Sequence, residues 1–289
     1  MRRIALLVAA LATLTAAAAP AGPAPEGGFA LTLTRGSRLM IDARINGRAV
    51  TALLDSAAEA TLIDRAFARE LGLGGGEAVT GQGSGKDAFA ATLVGGVTLE
   101  ALGLVLREQT VAVTDLGDVG RRLLGRRLEV VLGRELFDAA RLAIDVDGGR
   151  IAVVARDRPP RGERLELVTE HGVETLPVRI EGGEPVRATF DLGNGSRMLV
   201  GAALAARRGF LTDGRPVRSE RGGGLGGEAN LTVLRLRSVE IAGRRFADVA
   251  ASIDPQPSAS DANVGIALLR HFRITTDYAE HALWLEPRD

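Results

Sequence analysis

Residues 43–64 read ARINGRAVTALLDSAAEATLID, and residues 178–200 read VRIEGGEPVRATFDLGNGSRMLV; the second stretch repeats the first in outline. Each opens with an alternating strand that ends at glycine, turns, and returns as an apolar strand running into an aspartate, Asp55 in one and Asp191 in the other. Leu39, Ile41, Ala43 and Ile45 share one face of the first strand, and Leu176, Val178 and Ile180 share one face of its counterpart. That is the period-two pattern of a half-buried strand. A unit written twice at this length implies two copies of one fold.

The repeat extends on both sides of the aspartates. Asp64 is placed to cap a turn or two of helix ending at Gly72, and 202–208 reads as a matching short helix ending at Gly209. A glycine-rich tip follows in each half, GQGSG at Gly81–Gly85 and GGGLGG at Gly222–Gly227, read as mobile hairpin ends. Each half then closes alike, with VVLGRELFDAARLAIDVDGGRIAV at 130–153 and NVGIALLRHFRITTDYAEHALWL at 263–285. Gly133 and Asp145 are 12 residues apart, as are Gly265 and Asp277. The aspartate-to-glycine intervals are 78 and 74 residues, a difference that loops absorb. RDRPPRGER at 156–164 is charged, carries prolines and lacks apolar periodicity, so it reads as a linker between lobes at 22–155 and 165–289. Short β runs separated by turn signals make the expected fold all-β.

An apolar strand entering Asp-Ser-Ala at 55–57 or Asp-Leu-Gly at 191–193, with a glycine-rich flap and then two residues and a glycine (VLG at 131–133 within VVLGRE at 130–135, NVG at 263–265), resembles the retropepsin and pepsin clan of aspartic peptidases. It is most similar to the bacterial group that carries both lobes on one chain. The resemblance implies two pseudo-symmetric retropepsin-like β-barrel lobes with a few short helices. It also implies Asp55 and Asp191 as a catalytic pair, and flap or substrate-binding roles for Gly81, Gln82, Gly83, Ser84, Gly85, Gly223 and Gly224. The chemistry needs two carboxyls, because hydrolysis requires both a water made nucleophilic and a proton delivered to the leaving amine. Like charges a few ångströms apart cannot both ionise, so the pair holds one proton and one member acts as base, the other as acid. Taken singly, each aspartate reads as a turn or cap residue, and so do Asp145 and Asp277. The duplication is what gives Asp55 and Asp191 a shared site.

Two residues depart from the family pattern among those that support the pair, which are Ser56, Ala57, Leu192 and Gly193. The family carries a hydroxyl after each aspartate that locks the two loops together; Ser56 has one and Leu192 does not. Leu192 is therefore expected to leave a gap in the lock that a threonine would fill. Ala57 stands where glycine is usual and requires a negative φ. Neither tip carries a tyrosine, the lone Tyr278 lying near the C-terminus.

At the other end of the chain, Arg2 and Arg3 precede an apolar run over 4–14 and a small-residue stretch over 16–21, the layout of a secretory signal peptide at 1–21. With no cysteine, the mature protein is expected to be periplasmic or secreted, without disulfides and without a membrane anchor after signal removal. The 36 basic and 36 acidic residues balance, which excludes a nucleic-acid footprint, and three scattered histidines do not make a metal site. No cofactor is expected. The expected activity is an exported aspartic endopeptidase that acts on peptide or protein as a monomer. The alternative is a degenerate pseudo-peptidase that binds extended peptides in the inter-lobe groove.

Overall fold

The computed structural model describes Ala19–Pro20 and residues 27–34, 36–256 and 260–288. Most of the segment read as a signal peptide lies outside the described residues; Ala19 and Pro20 pair with Val105 and Leu104. Strands dominate, with five short helices among the described residues. In the first half a closed ring runs through Leu104–Thr114, Leu62–Asp64, Val130–Leu132, Arg48–Leu54, Leu39–Ile45 and Ala88–Ala101, which returns to Leu104–Thr114. In the second half the same circuit runs through Arg244–Asp254, Met198–Gly201, Ala262–Val264, Val186–Phe190, Val173–Ile180 and Ala229–Ile241. The two rings correspond strand for strand.

Local signals explain the elements. Leu39–Ile45 buries Ile41, Ala43 and Ile45 while Asp42 and Arg44 face out, so the alternation fixes its register. The long hairpins turn through matched two-residue loops, Leu102–Gly103 with φ of 53° and 73° and Ala242–Gly243 with φ of 47° and 68°. Two successive positive φ values match the twist of a tight hairpin, and a glycine at the second place removes half the steric cost. Asp64 caps the helix Arg65–Glu70 by accepting from the N–H groups of Ala66 and Phe67, as its place in the sequence suggests.

A third sheet joins the halves. Phe29–Ala30, Arg150–Val153 and Leu142–Asp145 come from the first, and Phe272–Asp277, Ala282–Pro287 and Glu163–Glu166 from the second. They meet where Leu142, Ala143 and Ile144 pair with Thr276, Thr275 and Ile274. The last of these strands begins inside the segment read as a linker. That segment is also held at its start, where Arg156 donates to both oxygens of Asp277 at 2.8 and 2.9 Å. Arg141 adds a bond to Asp277 at 3.0 Å, so a fully buried carboxylate is shared by guanidiniums from outside its own lobe. Asp277 is thus a structural ion-pair residue, and Asp145 accepts from Gly148 in a turn. Beneath the three sheets one continuous apolar core includes Phe67, Phe137, Phe190 and Phe272. Among the described residues no helix is long and apolar enough to cross a membrane.

Candidate active site

Each aspartate ends a strand that a parallel neighbour accompanies. Leu53 and Leu54 lie opposite Val131 and Leu132, and the Asp55 N–H donates to Leu132 O at 3.0 Å. Phe190 lies opposite Val264, and the Asp191 N–H donates to Val264 O at 3.0 Å. The glycines that follow, Gly133 and Gly265, pack against the aspartate loops. A Cβ on Gly133 would come within 2.6 Å of Ala60 C, and one on Gly265 would overlap Asn194. Beyond them Arg134 N–H donates to Ala58 O at 2.9 Å, and Ile266 N–H donates to Asn194 O at 2.8 Å. Close backbone approach is the physical reason the two-residue-plus-glycine pattern accompanies each aspartate.

The two loops converge. A Cβ on Gly193 would overlap the Asp55 carboxylate, so only glycine lets the second loop lie against the first aspartate. Asp55 is raised to about 7, by burial first and by the neighbouring Asp191 charge second, against the opposing Ala57 N–H and Arg38 guanidinium. Burial raises Asp191 as well, opposed by the Asn263 side chain, the Asn194 N–H and Arg38. As whole residues, both aspartates are half-buried. Near neutral pH such a pair holds one proton, the state that acid–base hydrolysis requires.

Residues 41–136 match the family model described as aspartyl protease. That segment is similar to the aspartyl proteases. No curated protein matches the chain. The matched range takes in Asp55, the first glycine tip and Gly133, and the second ring repeats the circuit of the aspartyl protease segment outside that range.

Within this aspartyl protease frame the lock between the loops is asymmetric. Ser56 Oγ donates to Phe190 O at 2.7 Å and accepts from Leu192 N–H at 2.8 Å, so one hydroxyl spans both sides of Asp191. Leu192 returns no such bond; its side chain is fully buried in the main core. A different residue of the second lobe reaches back. Tyr278 Oη donates to Ser56 O at 2.9 Å, with its ring stacked on Phe137 at 5.2 Å and Arg134 over its face at 5.4 Å. Ala57 is not at positive φ, which makes alanine tolerable there. Its N–H donates to Asp55 Oδ1 at 2.9 Å.

The glycine tips meet each other. Gly81 and Gln82 end the strand Glu77–Gln82, and beyond them Gly85 N–H donates to Leu225 O at 2.9 Å and Asp87 N–H to Gly226 O at 3.0 Å. A Cβ on Gly83 would overlap Leu225 O, and one on Gly224 would overlap Ser84 Oγ. Arg122, on the helix Gly117–Leu124, donates to the carbonyls of Gly223 at 3.0 Å and Gly224 at 2.8 Å. Gln256 donates to Lys86 O at 3.0 Å. The tips read as mobile hairpin ends are therefore latched to one another and to a helix. Cavities of about 720 and 350 Å³ open beside them and are lined by flap and helix residues, with neither aspartate in either wall.

The walls flanking the pair differ between lobes. Met40, Leu53 and Val131 lie side by side across three strands, on the face that Asp55 shares by its two-residue offset from Leu53. With Leu116, Val119 and Leu128 they form a separate apolar cluster against which Leu225 of the second tip packs. The corresponding residues of the second lobe are Thr175, Thr189 and Asn263. Arg38, Asn263 and Tyr278 are site residues that the motifs did not single out. Arg38 is buried, donates to Gly36 O at 2.9 Å, and stands within electrostatic reach of both aspartates.

Proposed function

We propose that the protein is an exported aspartic endopeptidase in which Asp55 and Asp191 share one proton and direct a water at a peptide bond. The observation that carries this reading is the convergence of two carboxyls from equivalent strand ends, with Asp55 raised to about 7 by burial and by the Asp191 charge. Perturbed pairs of this kind belong to sites that do acid–base work. Because one chain supplies both aspartates, the site needs no second copy, and we take the working form to be a monomer.

The flaps and walls support an extended peptide as substrate. Flap strands offer backbone groups to a peptide lying beneath them, and closure over it excludes water. The Met40, Leu53 and Val131 wall already accommodates a leucine from the second tip. An aliphatic substrate side chain entering that space would displace Leu225. The test is digestion of a diverse peptide mixture by purified protein from acidic to neutral pH, with and without a statine-type inhibitor. Cleavage that the inhibitor blocks, enriched for an aliphatic residue beside the cut bond, is expected. Intact peptides at every pH would contradict the enzymatic reading.

A further inference from the structure

The aspartates hold equivalent places, yet their surroundings are not equivalent. Asp191 Oδ2 accepts from the side-chain amide of Asn263 at 2.6 Å, while its Oδ1 accepts from Asn194 N–H at 2.8 Å. The orientation of the Asn263 amide is set by a second asparagine. Asn194 Nδ2 donates to Asn263 Oδ1 at 2.8 Å, so that oxygen faces Asn194 and the NH2 group faces the carboxylate. Asn194 is held in turn by donating to Arg197 O at 3.1 Å and by accepting from Ser196 N–H at 2.9 Å. At the matched places in the first lobe stand Ala58 and Val131, neither of which has a side-chain donor. Asp55 receives the Ala57 N–H at 2.9 Å and lies against Gly193.

A primary amide that can only donate to a carboxylate favours its charged form, because the bond to a charged acceptor is stronger than the bond to a neutral acid. We infer that Asn263 is a positioning residue that makes Asp191 the ionised member of the pair and leaves the shared proton on Asp55. This assignment rests on the peptidase reading and orders its steps. The Asp191 carboxylate takes one proton from water as the water oxygen bonds to the peptide carbonyl carbon, and Asp55 gives its proton to the carbonyl oxygen. The resulting gem-diol then collapses. One hydroxyl returns its proton to Asp55 as the C=O bond re-forms, the C–N bond breaks, and Asp191 passes its proton to the leaving nitrogen. Both carboxyls end as they began. The charged groups facing Asp191 are Asp55 from the first aspartate loop and Arg38 from the segment before Leu39–Ile45. Burial raises the Asp191 carboxyl, and the Asn263 bond is the largest influence holding it down.

The test compares the wild type with Asn263→Val, which installs the residue found at 131, and with Asn194→Ala, which frees the Asn263 amide to rotate. The side-chain carboxyl carbon of Asp191 is followed by NMR across pH in all three, alongside the pH dependence of kcat. In Asn263→Val the Asp191 titration and the acid limb of kcat are expected to move up together by about one unit, the size of one charge-assisted hydrogen bond. A smaller shift in the same direction is expected for Asn194→Ala. An Asp191 titration that stays in place in folded Asn263→Val, or that lies above that of Asp55 in the wild type, would overturn the inference. The NMR arm reads this without turnover. A wild type that shows the Asn263-dependent titration but cleaves nothing would instead defeat the peptidase reading alone.

Discussion

Leu192 follows Asp191 where the family places a hydroxyl, and its side chain is wholly buried in the core rather than aimed across the pair. Threonine there would remove buried apolar volume and add a hydroxyl with no acceptor arranged for it. Leu192→Thr is therefore expected to lose about 2–5 kcal/mol of stability, the range for truncating a buried leucine, and to gain no turnover. This reverses the expectation drawn from the motif alone, because Tyr278 supplies the returning bond to Ser56 O. Tyr278→Phe removes that donor while keeping the ring, and should cost about 1–3 kcal/mol in thermal melts with a fall in kcat. A Leu192→Thr protein that is both as stable and faster would show that the lock is open. Asp55 adds a pH dependence of known sign. Its folded value is raised to about 7 from 3.8, so its contribution to stability is fully present below 3.8 and is lost as pH rises through about 7. The melting temperature of Asp55→Asn relative to wild type should climb between pH 4 and pH 8; a constant difference would mean that Asp55 titrates normally.

At the scale of elements, the flaps are held shut by a few bonds that a peptide must break or replace. Arg122 donates to two carbonyls of the second tip from a helix in the first lobe, and that helix has no counterpart among the described residues of the second lobe. Arg122→Ala is expected to speed amide hydrogen exchange at Gly85 and Asp87, whose N–H groups reach across to the second tip, by about tenfold for each 1.4 kcal/mol of latch removed. Unchanged exchange at those amides would show that the tip-to-tip bonds hold without it. Much of this scale was legible beforehand. Alternation in 39–45 and 176–180 reflects faces that are in fact buried, and the matched glycine spacings reflect backbone contacts at Gly133 and Gly265 that no Cβ would fit. The rest depends on contacts between distant segments, across the lobes for Arg38 and Tyr278 and between neighbouring strands of the second lobe for Asn263. Arg38, Asn263 and Tyr278 meet the pair only once two distant segments are docked, and no local periodicity marks a residue for such a contact. The tips looked free because glycine runs signal backbone freedom, whereas here that freedom lets two backbones lie against each other.

At the scale of the molecule, the third sheet and the buried Asp277 network join the two rings. Removing one partner from such a buried charge cluster leaves the others uncompensated, so the network favours keeping the halves together. The duplicated rings then act as a single mount for two carboxyls whose value lies in being adjacent. The central claim is that Asp55 and Asp191 form one catalytic unit, and residues that act as a unit have strongly non-additive effects. The most direct measurement is peptide hydrolysis by Asp55→Asn, by Asp191→Asn and by the double variant, each checked for a wild-type fold by circular dichroism. Each single change is expected to abolish hydrolysis, with the double variant scarcely worse than either. A single variant that keeps most of its activity, or a double variant whose loss is the product of the two, would contradict the account.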